Sequence, residues 1–258
     1  MNKIEVFYHN YIPADANAVL WMMILDEQLG AIEKSNLYKI SNVNMTVTMP
    51  SLWAGVMYPE IPFRSNTTGD PVSFLDKLRE YVDIRYPFVN IIDVRDTHYE
   101  NLYEGQCLVH LWNKAKKLHH DTPILYFHSK GATNSFIPSV VTWRKFITHH
   151  CVERWIDAIS LLESSDIVAV EDKMNPISGN FWWSKSSHIR TLMDPSNSIW
   201  WDKLKVTSYI TADWPARFGD EMWVCSGENT KSYDISNISQ DIYIYTACLN
   251  KQQYEYSL

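Results

Sequence analysis

The sequence predicts an α/β protein with a mixed, mainly parallel central sheet flanked by helices. Three observations carry this. Segments of strand character alternate with helical ones along the chain, the pattern of linked βαβ units. The run Ile124-Leu125-Tyr126-Phe127 is continuously apolar, as in a strand buried on both faces. With 46% hydrophobic residues in 258, there is ample material for the core of one domain.

The first strand is Ile4 to Tyr8, ending in the polar cluster His9-Asn10-Tyr11. Residues 15–34 are rich in Ala, Leu, Met and Glu at helical spacing. Residues 44–49 alternate polar and apolar and predict a second strand. Prolines and glycines from Pro50 to Asp70 mark a long loop. A short amphipathic helix follows over 73–83, then a strand at Phe88–Ile92, closed by Asp93-Val94-Arg95-Asp96. A helix over 100–118 leads into the apolar strand. One long helix is predicted over 138–163, a strand over 166–170 and a helix near 186–193. The region beyond 175, which includes the run Asp241–Tyr245, is less regular and invites antiparallel strands. No linker or internal repeat divides the chain, so a single domain is expected over 1–258.

Composition narrows the function. A net charge of −7 argues against a general nucleic-acid binder, which shows a basic face, but leaves room for a local anion pocket. The four cysteines, Cys107, Cys151, Cys225 and Cys248, are widely spaced and suggest neither a zinc site nor a disulfide framework. The start lacks the apolar core of a signal peptide, and no run approaches the ~20 apolar residues needed to span a bilayer. The expectation is a soluble, cytoplasmic protein with no transmembrane segment.

In an open α/β sheet, ligands bind beyond the carboxyl ends of the strands. His128, Ser129 and Lys130 leave the apolar strand at that edge, and Gly131 lets the backbone turn there. Asp93 and Asp96, with Arg95 between them, end the preceding strand at the same edge. They suit ribose hydroxyls or a metal, or form a solvated turn. Arg144 follows Trp143 near the start of the next helix, where a guanidinium opposes the helix dipole unless an external phosphate is near. Gly179-Asn180-Phe181-Trp182-Trp183 offers close approach, an amide and indole faces for a sugar, or else an aromatic core strand. Asp220 and Glu221 are carboxylates that suit general-base chemistry or a helix cap.

Taken in order, His128-Ser129-Lys130-Gly131, Trp143-Arg144, Asp166, Ser178 to Lys185 and Phe218-Gly219-Asp220-Glu221-Met222-Trp223 span most of the chain. Leu25 to Leu29 and Ser35 to Tyr38 join them. Together they resemble nucleotide-sugar-dependent glycosyltransferases of the GT-A-like, Rossmann-related fold. The narrower likeness is to bacterial, phage and large-virus enzymes with an His-(Ser/Thr)-Lys-Gly motif. The resemblance implies a donor half over 1–135 and an acceptor and catalytic half over 136–258. It implies sugar transfer from a nucleoside diphosphate, most often UDP, to a glycan or glycolipid, in surface polysaccharide or viral glycan synthesis. Tyr8 and His9 would lie at the base, Gly179, Asn180 and Trp182 at the sugar, and Glu221, then Asp220, would be the base of an inverting reaction. Where GT-A enzymes carry Asp-x-Asp for a divalent metal, this chain has His128-Ser129-Lys130. Either His128 binds Mn²⁺ or Mg²⁺ with Asp93 or Asp96, or Lys130 supplies the charge without a metal. A non-catalytic carbohydrate-binding protein on the same scaffold is the alternative. A nucleotidyltransferase would call for a glycine-rich loop between residues 8 and 20, where none is present.

Overall fold

The computed structural model describes residues 3–12, 18–49, 74–96, 104–132, 137–171, 177–197 and 217–237. Among them, seven strands form one sheet: β1 (Ile4–Tyr11), β2 (Ser41–Met49), β3 (Val89–Asp96), β4 (Pro123–His128), β5 (Ile167–Ala169), β6 (Trp182–Lys185) and β7 (Ser232–Asp234). Their order is β3-β2-β1-β4-β6-β5-β7. β1 pairs in parallel with β2 and β4, β2 with β3, and β5 with β7, while β6 runs antiparallel to both β4 and β5. The fold is therefore the mixed, mainly parallel GT-A-like, Rossmann-related α/β class. The β1 and β4 registers pair Val6 with Leu125 and His9 with His128, so the polar ends of both strands reach the same level.

Alternation along the strands builds two cores. Ile4, Val6 and Tyr8 of β1 join Leu125 and Phe127 of β4 on one face, whereas Phe7, Ile124 and Tyr126 pack on the other. The first face is covered by α1 (Ala18–Lys34), whose Trp21, Leu25, Leu29 and Ile32 recur at helical spacing. It also receives α2 (Phe74–Arg85) through Leu78 and Val82. The second face receives α3 (Gly105–Lys117) through Cys107, Leu108, Leu111 and Ala115. The last turn of α3 carries Lys114, Lys116 and Lys117, the charge sign a helix C-terminus favours.

The strands run further than the apolar residues alone predict. β3 continues through Asp93 to Asp96, where a polar close was expected. The long helix expected over 138–163 is divided into α4 (Pro138–Thr148), a π turn (His149–Glu153) and α5 (Trp155–Leu162). The widened turn is tied to β6, because Trp183 Nε1 donates to the Cys151 carbonyl at 2.6 Å. After β6 come α6 (Ser186–Thr191) and α7 (Arg217–Met222). The loop expected from Pro50 to Asp70 and the run Asp241–Tyr245 lie outside the described residues. Among the described residues, no helix is long and apolar enough to cross a membrane.

Candidate active site

β4 delivers His128 to the carboxyl edge of the sheet, and the loop after it delivers Ser129 and Lys130. Ser129 is fastened to β1: its hydroxyl accepts from the Tyr11 N–H at 2.7 Å and donates to the Tyr11 carbonyl at 3.2 Å. Gly131 has φ +82°, and a Cβ there would sit 2.6 Å from Val140 Cγ1, so the turn can pass under α4 only as glycine. Lys130 is left over the face of Trp143, its ammonium 4.5 Å from the ring centroid, and 3.8 Å from Glu221 Oε1 of α7. Both side chains of this ion pair are largely buried.

Glu104, in the turn that opens α3, is the hub of the neighbouring network. It accepts from the Tyr126 hydroxyl at 3.1 Å and from the Asn180 amide, and its Oε1 lies 3.3 Å from His128 Nδ1. Asn180 in turn accepts from Trp182 Nε1 at 2.9 Å. His128 Nε2 lies 2.9 Å from the Gly179 carbonyl, which can only accept, so the ring proton sits on Nε2. Burial, then the charge of Lys130, pushes His128 down to about 3, which makes the ring neutral. Its Nδ1 lone pair then faces a carboxylate oxygen. Nδ1 and Oε1 therefore meet as two acceptors.

The two carboxylates of α7 differ. Burial, with the charge of Glu104 adding to it, pushes Asp220 up to about 8, so that it carries a proton at neutral pH. It accepts from the Gly105 N–H at 3.1 Å and anchors α7 to α3. Glu221 instead faces the Lys130 ammonium. Neighbouring acids held in different environments can take different roles, and the geometry leaves Glu221 as the one beside a cation at the sheet edge.

Several residues occupy other roles than their sequence context suggests. Arg144 is the seventh residue of α4, away from its N-terminus, and its fork is bidentate on Glu27 at 2.9 and 3.0 Å. A carboxylate from α1 thus takes the place expected for a phosphate, and Arg144 Nη1 reaches the Lys130 carbonyl at 3.5 Å. Gly179 (φ +71°) is approached by α4: a Cβ would meet Ile147 Cδ1 at 2.6 Å and Trp143 Cζ2 at 3.2 Å. Trp182 is fully buried, with Tyr126 and Trp223 as ring neighbours, so it has no open face for a pyranose. Tyr8 is likewise buried, stacked on Phe127 at 4.7 Å, which removes it as a stacking platform for a base. His9 is buried with Nδ1 on Thr46 at 2.9 Å, and burial, then His128, pushes it down to about 3.

Asp93 and His128, one of the two metal pairings proposed from sequence, do not come together. β2 and β1 lie between β3 and β4. Asp93 and His128 therefore stand about three strand spacings, ~14 Å, apart, far beyond a shared ion. Asp93 is held instead by His110 Nε2 at 2.7 Å and by Arg95 at 3.3 Å. Burial would raise its carboxyl, but the hydrogen bond to His110 and the charge of Arg95 outweigh that and hold it below the usual range. Asp96 ends β3, and its side chain lies outside the described residues.

Comparison with known proteins adds the family. Residues 7–256 match the model described as Domain of unknown function (DUF8361). The chain belongs to the DUF8361 family. No curated protein matches it. Among solved structures it is similar to the 4-diphosphocytidyl-2C-methyl-D-erythritol synthase of Anaerococcus prevotii DSM 20548, with a TM-score of 0.40 and 8% identity over 99% of this chain and 95% of that one. A second 4-diphosphocytidyl-2C-methyl-D-erythritol synthase gives 0.36 and 12% over 87% and 99%. Likeness this distant adds nothing to the strand order described above.

In this DUF8361 chain, Glu104 is the residue sequence reasoning passed over. One signal pointed to it: an acid at the opening of the helix that follows β3, at the edge where the strands end. Gln28, inside the segment Leu25 to Leu29 that carries the resemblance, was given no role. Its amide donates to the His128 carbonyl at 2.9 Å and ties α1 to the same edge.

Proposed function

We propose that the protein transfers a sugar from a nucleoside-diphosphate donor, with a UDP-sugar the first choice, to a hydroxyl of a glycan or glycolipid. The observation that carries this reading is the placement of Lys130 beside Glu221 at the carboxyl edge, between β4 and α7. An ammonium suits a leaving diphosphate, and a carboxylate suits an acceptor hydroxyl. In the inverting reaction the acceptor oxygen forms the bond to the anomeric carbon and its proton passes to Glu221. The bond from that carbon to the diphosphate breaks, and the electron pair leaves with the diphosphate toward Lys130. Glu104, His128 and Asn180 hold the floor of the site in place. Surface polysaccharide or viral glycan synthesis is the proposed setting. Lys130 is given this role because Asp93 stands three strands from His128 and is held by His110 and Arg95.

The test is release of UDP or GDP from a panel of nucleotide sugars in the presence of glycan acceptors. Transfer is expected from the wild type, with a loss of about 10²- to 10⁴-fold in Glu221→Gln, the range for removing a general base. Full activity in Glu221→Gln would sink the base assignment. Glycan binding without any nucleotide turnover would favour the carbohydrate-binding alternative.

A further inference from the structure

We propose that Gln28 of α1 is a positioning residue for Lys130: by holding the His128 carbonyl it sets the turn that carries the ammonium. The proposal rests on the transferase reading above and adds to it the element that places the anion-binding group.

The turn from His128 to Lys130 is tight. The Lys130 N–H donates to the His128 carbonyl, two residues back, at 2.6 Å, so the chain reverses around Ser129. Each of these three residues is held from another element. Gln28 Nε2 donates to the His128 carbonyl at 2.9 Å. The Tyr11 N–H and carbonyl hold the Ser129 hydroxyl. Arg144, its fork set by Glu27, reaches the Lys130 carbonyl at 3.5 Å. Consecutive residues of α1, Glu27 and Gln28, thus act on the carbonyls either side of Ser129, the first through Arg144 and the second directly. From this turn the Lys130 side chain reaches over Trp143, which is itself pinned by its indole N–H on Ser178 Oγ at 2.8 Å.

Packing alone does not ask for a glutamine at this position. Gln28 lies three residues after Leu25 and four before Ile32, on the stripe of α1 that meets the sheet through Trp21, Leu25, Leu29 and Ile32. It is fully buried, and its Oε1 has no partner among the described residues. Burying a polar atom in this way costs at least what one hydrogen bond returns. Nor does the His128 carbonyl need the amide, since it already accepts from the Lys130 N–H. The amide faces one way only, because a carbonyl accepts and must meet Nε2. An apolar residue would serve the fold as well. What the glutamine adds is a fixed place for the turn, and departures from the packing pattern of this kind gather at functional sites.

The experiment is calorimetric titration of UDP and GDP into the wild type, Gln28→Met and Lys130→Met, with urea unfolding of the same preparations. Methionine keeps the length of glutamine and suits the apolar stripe, so Gln28→Met should unfold at the wild-type urea concentration or above it. Its diphosphate binding should be about three- to tenfold weaker, the worth of one hydrogen bond. Binding equal to the wild type in Gln28→Met, with Lys130→Met impaired, overturns the positioning role and leaves the transferase reading standing. Weaker binding accompanied by a lower unfolding midpoint would show that Gln28 serves the fold, and overturns the role as well. No binding of either nucleotide by the wild type, or binding untouched by Lys130→Met, overturns both.

Discussion

Replacing Glu104 tests whether the carboxyl edge is organised as described. In Glu104→Ala two buried groups lose their partner together: the Tyr126 hydroxyl and the Asn180 amide. Tyr126 and Asn180 are fully buried. Leaving a buried polar group without a partner costs about 1–3 kcal/mol. Two such groups give about 2–6 kcal/mol, and water entering the space left by the side chain brings the expectation to the lower half, about 2–4 kcal/mol. That is a large share of the about 5–15 kcal/mol by which domains are stable. Urea unfolding followed by tryptophan fluorescence reads it directly, because two hydrogen bonds through Asn180 join Trp182 to Glu104. Glu104→Gln separates the network from bulk packing. Its amide oxygen still accepts from Tyr126 and Asn180, and its N–H can donate to the His128 Nδ1 lone pair, so a loss of about 1 kcal/mol or less is expected. A loss under about 1 kcal/mol in Glu104→Ala would refute the hub. Equal losses in the two variants would refute the hydrogen-bond account of it.

Two further outcomes follow from single positions. Gly179→Ala would combine a left-handed backbone (φ +71°) with a Cβ 2.6 Å from Ile147 Cδ1, and is expected to destabilise by about 2–4 kcal/mol; a neutral effect in thermal unfolding would contradict the close approach of α4. Asp220 is raised to about 8 by burial and then by Glu104, against about 3.9 in an unfolded chain. Between these values the folded chain keeps a proton that the unfolded chain has lost, so this contribution to stability is complete below about pH 4 and falls as pH rises toward 8. Asp220→Asn should therefore gain on the wild type with a slope approaching about 1.4 kcal/mol per pH unit within that window. A stability difference independent of pH would show that Asp220 is ionised in the fold.

Much of the framework was legible because it depends on local pattern. The continuous apolar run of β4, the alternation in β2 and the spacing of apolar residues in α1 each name their element from neighbours a few residues apart. The edge rule for parallel sheets puts His128 to Lys130 at the carboxyl edge, and β4 does end at His128. What stayed hidden depends on partners far along the chain. Arg144 reads as a phosphate ligand until Glu27, 117 residues away, is found in its fork. Glu104 gains meaning only from Tyr126, His128 and Asn180, contributed by two other segments. Gly179 reads equally well as an opening for a ligand or for a helix, and it was α4 that came close. The π turn left no mark, since His149-His150-Cys151-Val152-Glu153 is compatible with an unbroken helix in composition. Asp93 and His128 share an edge but not a site, a distinction set by strand order rather than by residue type.

The central claim, that the carboxyl edge around Lys130 receives a nucleoside diphosphate, is tested most directly by calorimetric titration of the wild type with UDP, GDP and their sugars, with and without Mn²⁺. Saturable one-to-one binding of one diphosphate and its sugar, independent of Mn²⁺ and lost in Lys130→Met, is the result predicted. Binding that survives Lys130→Met, or no binding of any nucleotide, would contradict it.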